Sequence, residues 1–541
     1  MSPRKKIPTK TELLQLQKLY KTDEKIGERL GGVPAYLVAY WRRKKGIPKY
    51  SLPKFSENEI RNLWERYGDD EKSGLELGIS KAAFYNWRRR YGIREKPAFL
   101  KLEQLELNFP GSKYNPHANS LYGKQSVVQK ILARSAGLEK AEIGQTVEIE
   151  PDVVLLHKSA GDIIGKFRKS GPEYVWNPNK ILVTLDYSGA SQDRCVADIH
   201  RDVREFVKRQ GIKNFYDLRE GTCHQVIVER GHAVPGQILL CTDNLCTSYG
   251  CMGSFAAGID AEQMFHVWET GKLSLEIPGT IRINVTGRKP HGVYAKDVIL
   301  SILKQLGTEA AQGRVIEYAG SVVSQMSISE RFTLSNMSVE LGAKAAICPY
   351  DATTRRYLNG RTMAHYKPVI PDKDAEYEGI YQVAVDHLSP QVGCPDNDQP
   401  VKSAAELEGL AVHEVILGTC SNGRFDDLRI AADILKGKSI SPDCRLYVYP
   451  GSRSVYLEAL KKGLIRVFVE AGAMVMNPGS VPFTSLQDGR LAEGERCLAT
   501  TSRQVLADSS TDDTELYLCS PATAAASALN GSITDPSRYL K

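Results

Sequence analysis

The stretch GQILLCTDNLCTSYG, Gly236 to Gly250, decides the fold class. Four apolar residues, Ile238 to Cys241, run into a polar loop, the signature of a fully buried strand rather than an alternating surface strand. KILVTLDYSGA, Lys180 to Ala190, repeats the design, and QDRCVADIHRDVREFVKRQG after it has the spacing of an amphipathic helix. From about Ser120 onward such Gly-punctuated strands alternate with helices, which predicts an α/β body. In such sheets ligands sit beyond the carboxyl ends of the strands. A third stretch, LGTCSNGRFDDLRIAADILKGK from Leu417 to Lys438, places Cys420 in a Gly-bounded turn before another helix. Phe425, Leu428, Ile430, Ala431, Ile434 and Leu435 have helical spacing, and Asp426 and Asp427 suit the first turn. A thiol at a helix start is biased toward thiolate, so Cys420 reads as nucleophile, metal ligand or buried filler.

The chain has 541 residues, 42% hydrophobic and 25% charged, room for three or four domains of ordinary soluble composition. No run of about 18 apolar residues suggests a membrane span, and MSPRKKIPTK leads into charged sequence rather than a signal-peptide core. Eleven cysteines without framework spacing predict free thiols in a reducing, cytoplasmic setting. Charge is uneven. Of 71 Lys/Arg and 64 Asp/Glu, the first hundred residues hold 23 and 12, leaving 48 and 52 for the rest. A basic head on a mildly acidic body points to a polyanion partner for the head alone.

That head is a repeat. LYKTDEKIGERLGGVPAYLVAYWRRKKGI (Leu19 to Ile47) recurs as RYGDDEKSGLELGISKAAFYNWRRRYGI (Arg66 to Ile93), matching Asp23 to Asp70 and Trp41-Arg42-Arg43 to Trp87-Arg88-Arg89. Each copy reads as three short helices. Ser56 and Glu59 form a capping box, Gly78 a tight turn, Ser80 an N-cap, and Pro34 suits a first helical turn. Two helices across a Gly turn resemble tandem resolvase- or transposase-like helix-turn-helix units. On that resemblance Lys81 and Asn86 face base edges of double-stranded DNA, while Arg42, Arg43, Arg88, Arg89 and Arg90 hold phosphates. The alternative is a small helical pair for protein contacts. The predicted boundaries are 1–97 for the repeats, 98–119 for a linker and 120–541 for the body.

Across the body a family pattern emerges. GKQSVVQKILARSAG, EGTCHQV, TDNLCTSYGCMGSFAAGI, HGVYAKDVIL, MSISERFTLSNMSVELGAKAAICPYDATT, GTCSNGRFDDLRIAA, GERC and CSPATAAASALNG occur in that order. Together they resemble the large subunit of 3-isopropylmalate dehydratase and the first three domains of aconitase. The resemblance implies a three-domain α/β/α body without the mobile swivel domain, which would be a separate small subunit. It implies a hydro-lyase acting on a hydroxy di- or tricarboxylic acid, with a four-iron four-sulfur cluster assisting a leaving hydroxide.

The resemblance puts Cys420 at the first cluster-ligand position. Ser480 and Phe483, in PGSVPF, stand at the other two, and neither supplies a thiolate. A family histidine is replaced by Tyr187, and the loop Asp243-Asn244-Leu245-Cys246 has lost another. One carboxylate-binding arginine position holds Arg503 and the second holds Asp508. Asp186, His224 and Asp243 remain as catalytic candidates, with Asn422, Arg424 and Arg503 as polycarboxylate-binding ones. Cys246 and Cys420, with His224 or Asp243, form a candidate rearranged metal site; the alternative is a set of neutral thiols in a relaxed cleft. Cys223 is a further new thiol. His157, His291 and His365 have no spacing argument and read as structural or surface. Two functions stay open: a diverged dehydratase or isomerase large subunit, or an inactive organic-acid sensor that binds DNA through the head.

Overall fold

A computed structural model describes residues 7–49, 55–67, 70–93, 124–157, 160–186, 194–362, 364–395, 399–478, 491–502 and 515–540. They fall into two compact units, Met1–Gln104 and Leu105–Lys541. The expected linker, 98–119, lies outside the described residues.

The first unit carries the repeat as two helical triads. One is α1 (Lys10–Tyr20), α2 (Asp23–Arg29) and α3 (Ala35–Lys44); the other is α4 (Glu57–Tyr67), α5 (Asp70–Glu76) and α6 (Lys81–Arg90). Each closes over a small core, Leu13, Ile26, Val33, Val38 and Ile47 in the first, and Ile60, Trp64, Phe84 and Ile93 in the second. Thr9–Glu12 and Ser56–Glu59 cap α1 and α4 reciprocally. Pro34 is the N-cap residue of α3, just outside the helix. A glycine inside each middle helix lets the chain pack closely. A Cβ on Gly27 would stand 2.0 Å from the Val33 carbonyl oxygen, and one on Gly74 2.8 Å from that of Ile79.

Two of the five arginines expected on phosphates are committed internally. Arg42 donates twice to Asp23, at 3.0 and 3.1 Å, and to the Ile47 carbonyl. Arg88 repeats this with Asp70, at 2.9 Å twice, and with the Ile93 carbonyl, while its guanidinium lies 3.7 Å over the Trp64 ring. The fork geometry that would hold a phosphate is already satisfied by a carboxylate. Arg43, Arg89, Arg90, Lys81 and Asn86 are exposed.

In the second unit β1 (Thr146–Ile149) precedes a parallel five-stranded sheet of β2 (Val153–Leu156), β3 (Ile181–Thr184), β4 (Asn214–Tyr216), β5 (Ile238–Cys241) and β6 (Phe255–Gly258). Its order is β4-β3-β2-β5-β6, and β7 (Leu273–Glu276) runs antiparallel to β1. β2 pairs on one side with β3 (Val154 opposite Ile181) and on the other with β5 (Val153 opposite Leu239). The chain order therefore reverses at β2 and β5, the switch point where α/β sheets open a crevice. A second parallel sheet, β10-β9-β8-β11, is made of β8 (Thr280–Thr286), β9 (Val315–Ala319), β10 (Ala345–Ile347) and β11 (Gly379–Ala384).

The third sheet contains β12 (Gln391–Gly393), β13 (Val401–Ser403), β14 (Glu414–Gly418), β15 (Arg445–Tyr449), β16 (Met474–Val475), β17 (Arg496–Ala499) and β18 (Glu515–Cys519). It is ordered β13-β12-β18-β17-β14-β15-β16, parallel except where β12 meets β13 and β18. The helix Phe425–Leu435 follows β14 and buries Leu428, Ala431, Ala432, Ile434 and Leu435 in that sheet's core. The body is thus α/β, with three separate parallel-rich sheets. Among the described residues no helix is long and apolar enough to cross a membrane.

Candidate functional site

Three neighbouring strands deliver the site. His157 directly follows β2, Asp186 lies two residues past β3, and Asp243 two past β5. The helix Cys223–Glu229 contributes its first two residues, Cys223 and His224. His157, Asp186 and His224 are each only 5% exposed and Cys223 is fully buried. Asp243 Oδ2 is the meeting point: His157 Nε2 lies 3.4 Å away and His224 Nε2 3.2 Å. Asp186 accepts from Thr184 Oγ1 at 3.1 Å and from the Cys223 backbone N–H, and its Oδ1 is 3.8 Å from His157 Nδ1. The Cys223 sulfur is 3.4 Å from His224 Nδ1, and Tyr249 stacks on the His224 ring at 6.0 Å.

Burial pushes the Asp243 carboxyl up, but hydrogen bonds and charge from His157 and His224 outweigh it and hold the group well below the usual carboxylate range. The Cys223 thiol moves the other way. Burial raises it, and the Asp186 and Asp243 carboxylates beside it raise it further. The cluster is therefore rich in negative charge for a site so short of water.

Cys420 sits in a short helical turn, Thr419–Asn422, between β14 and the helix Phe425–Leu435. The expected bias toward thiolate is reversed. Burial raises the thiol, overriding the lowering by Ser421, and Asp243 adds to the rise. The helix start that would favour thiolate is the next element, at Phe425. The turn is strained: Thr419 is β-branched yet has φ +65°. The block around Phe332 supports it. Thr333 Oγ1 donates to the Ser421 carbonyl at 3.1 Å, and Ser421 donates to Asn336. Lys296, fully buried, donates to the Thr500 and Thr501 carbonyls at 3.0 and 2.7 Å and is lowered by burial to about 8.

Asn422 donates to Thr333 at 3.2 Å and to Asp427 at 2.9 Å, while its own side-chain oxygen is buried without a hydrogen-bond partner among the described residues. Arg424 pairs with Asp427 at 3.0 Å, donates to Thr333 at 2.6 Å and lies over Phe332. In this state its guanidinium braces the Cys420 turn. Cys246, expected as a metal ligand beside Cys420, is bonded instead to Cys241, because strand end and loop bring the two Cα atoms to 6.4 Å. This also corrects the expectation that every thiol is free. Arg503, Asp508, Tyr187, Ser480 and Phe483 lie outside the described residues.

His157 was not foreseen as a site residue. Its signal was present: VVLLH repeats the apolar-run-then-polar pattern of the two strands that supply Asp186 and Asp243. Beside Asp243 a shallow cavity of about 320 Å³ is lined by Thr242, Asn244, Gly258, Asp260 and Gln263.

Residues 130–531 match the Aconitase family (aconitate hydratase). This chain belongs to the aconitase family. Among its relatives, 3-isopropylmalate dehydratase large subunit 1 of Methanopyrus kandleri is 43% identical over 417 residues, covering 77% of this chain and all of the relative. The probable methanogen homoaconitase large subunit of Methanothermobacter thermautotrophicus is 37% identical over 418 residues, 76% of this chain and 98% of its own. A solved structure, Thermococcus kodakaraensis aconitase X in its holo form, aligns with TM-score 0.42 and 13% identity over 71% of this chain and 91% of its own. Residues 1–129, the basic repeats included, lie outside the aconitase match.

Proposed function

We propose that this chain is a diverged aconitase-family large subunit that eliminates water from a hydroxy di- or tricarboxylic acid together with a separate small subunit. The observation that carries the reading is the convergence of His157, Asp186, His224 and Asp243 at the carboxyl ends of adjacent strands, in a chain as long as its large-subunit relatives and more. Elimination needs one group to take a proton from carbon and another to protonate the leaving hydroxyl. Two imidazoles held by one carboxylate supply such a pair, with Asp243 fixing ring orientation. Relatives named for 3-isopropylmalate and for homoaconitase make branched or extended malates and citrates the first acids to try.

The donor set does not fit a four-iron four-sulfur cluster. Cys420 offers one thiol, buried and raised, while Ser480 and Phe483 stand where the resemblance asks for two thiolates. The test is an absorbance assay for the unsaturated acid, with co-expressed small subunit and isopropylmalate-, citrate- and malate-type substrates. Turnover that falls at least a hundredfold in Asp243→Asn is expected. No turnover of any of these acids by the paired protein overturns the reading.

A second reading, that the head binds double-stranded DNA, is favoured by the exposed cations Arg43, Lys44, Arg89 and Arg90 at equivalent helix ends of the two repeats. Lys81 and Asn86 on the exposed side of α6 are its base-contacting candidates. A gel shift with the full chain at low salt tests it.

A further inference from the structure

The buried trio His157, Cys223 and His224 is the chemistry of a metal site. One ligand atom from each residue lies within 4.8 Å of the others. A tetrahedral zinc ion holds sulfur at about 2.3 Å and imidazole nitrogen at about 2.0–2.1 Å, so closure asks for movements of about an ångström. The surroundings have the second layer such sites use. Asp243 Oδ2 faces Nε2 of both imidazoles, at 3.4 and 3.2 Å. A carboxylate against the far nitrogen of a metal-bound imidazole fixes the ring's orientation and makes it a stronger donor. His224 Nδ1 is the nitrogen nearest the Cys223 sulfur, and His157 Nδ1 is the one nearest Asp186 Oδ1, 3.8 Å away. Asp186 is itself anchored by the Cys223 backbone N–H and by Thr184.

We propose that His157, Cys223 and His224 bind a zinc-class divalent cation, with Asp186 Oδ1 as fourth donor and Asp243 orienting both imidazoles. Mixed thiolate, imidazole and carboxylate donors select borderline ions over magnesium or calcium. A cation also answers the charge of the pocket, where the Asp186 and Asp243 carboxylates face the two imidazoles. The ligand set comes from the ends of β2 and β3 and from one helix start, so the parallel sheet positions it. It uses neither Cys246, which is spent on Cys241, nor Cys420. A bound cation engages both nitrogens of each imidazole and so excludes the acid–base pair read above while it is in place; metal binding without turnover leaves the inference intact.

The full chain, stripped with chelator and titrated anaerobically with Co(II), tests it. One equivalent is expected, with tetrahedral visible absorption and a thiolate-to-cobalt charge-transfer band. Cys223→Ser should abolish that band, and Cys420→Ser should keep it. Asp243→Asn should weaken uptake about 10- to 100-fold, the usual cost of losing a histidine's outer partner. Absence of Co(II) uptake by the wild-type chain, uptake without a thiolate band, or a band lost in Cys420→Ser overturns the site. The wild-type spectrum alone decides the first two even if Cys223→Ser fails to fold.

Discussion

Lys296 shows how one side chain ties distant parts of the body together. It belongs to the helix Ala295–Leu306 between β8 and β9 of the second sheet, yet its ammonium caps carbonyls that follow β17 in the third. Burial costs it charge and brings it to about 8 from an ordinary 10.5. In the window between those values the unfolded chain keeps the proton and the folded chain loses it, so stability attributable to Lys296 rises with pH. Below pH 8 both states are protonated and the contribution is flat. The difference in urea stability between wild type and Lys296→Met should therefore grow, in favour of wild type, by on the order of 1–3 kcal/mol from pH 7.5 to 10. Taking the difference cancels the buried cysteines and tyrosines that titrate in the same range. A difference that stays level would mean that the lysine remains charged.

At the scale of elements, the repeats make a prediction against intrinsic propensity. Gly→Ala inside a helix normally gains about 1 kcal/mol. In α2 the new methyl of Gly27→Ala meets the Val33 carbonyl at 2.0 Å, and in α5 that of Gly74→Ala meets Ile79 at 2.8 Å. Both should destabilise, since backbone rather than a flexible side chain must move at each, and Gly27→Ala more, because its clash is the closer one. Faster hydrogen exchange over residues 10–47 in Gly27→Ala than over 57–93 in Gly74→Ala is the expected result. The strand-then-polar-loop pattern was legible because a buried parallel strand needs an unbroken apolar run and its ligands must follow it; hence Asp186 and Asp243. His224 was legible only through the resemblance of EGTCHQV, since a helix start has no such local mark. What stayed hidden were pairings across sequence: Arg42 with Asp23, Arg88 with Asp70, and Cys241 with Cys246. Each removes a residue from its expected role because a partner far along the chain, or across a loop, satisfies it first.

For the whole molecule, the question is whether a basic head joined to an aconitase-family body gives one protein two kinds of ligand. Electrostatics bounds the answer. With Arg42 and Arg88 neutralised by Asp23 and Asp70, the exposed cations at the two helix ends are Arg43, Lys44, Arg89 and Arg90. Four phosphate contacts at about 0.9 released counterions each give a log–log salt slope near −3.6. Had Arg42 and Arg88 been free as well, six contacts would bring the slope to about −5.4. Replacing Arg89 and Arg90 with Ala in the full chain should flatten the slope by about half and weaken all sequences alike, with thermal stability unchanged. Arg42→Ala should instead unfold the first triad, because it leaves Asp23 without its bidentate partner, and reduce binding only through that loss. Lys81→Ala and Asn86→Ala should alter sequence preference with little change of slope. Fluorescence anisotropy across 50–300 mM salt separates these outcomes. A slope indistinguishable from zero would assign the head to protein contacts and leave the proposed ligand sites to the aconitase-family body alone.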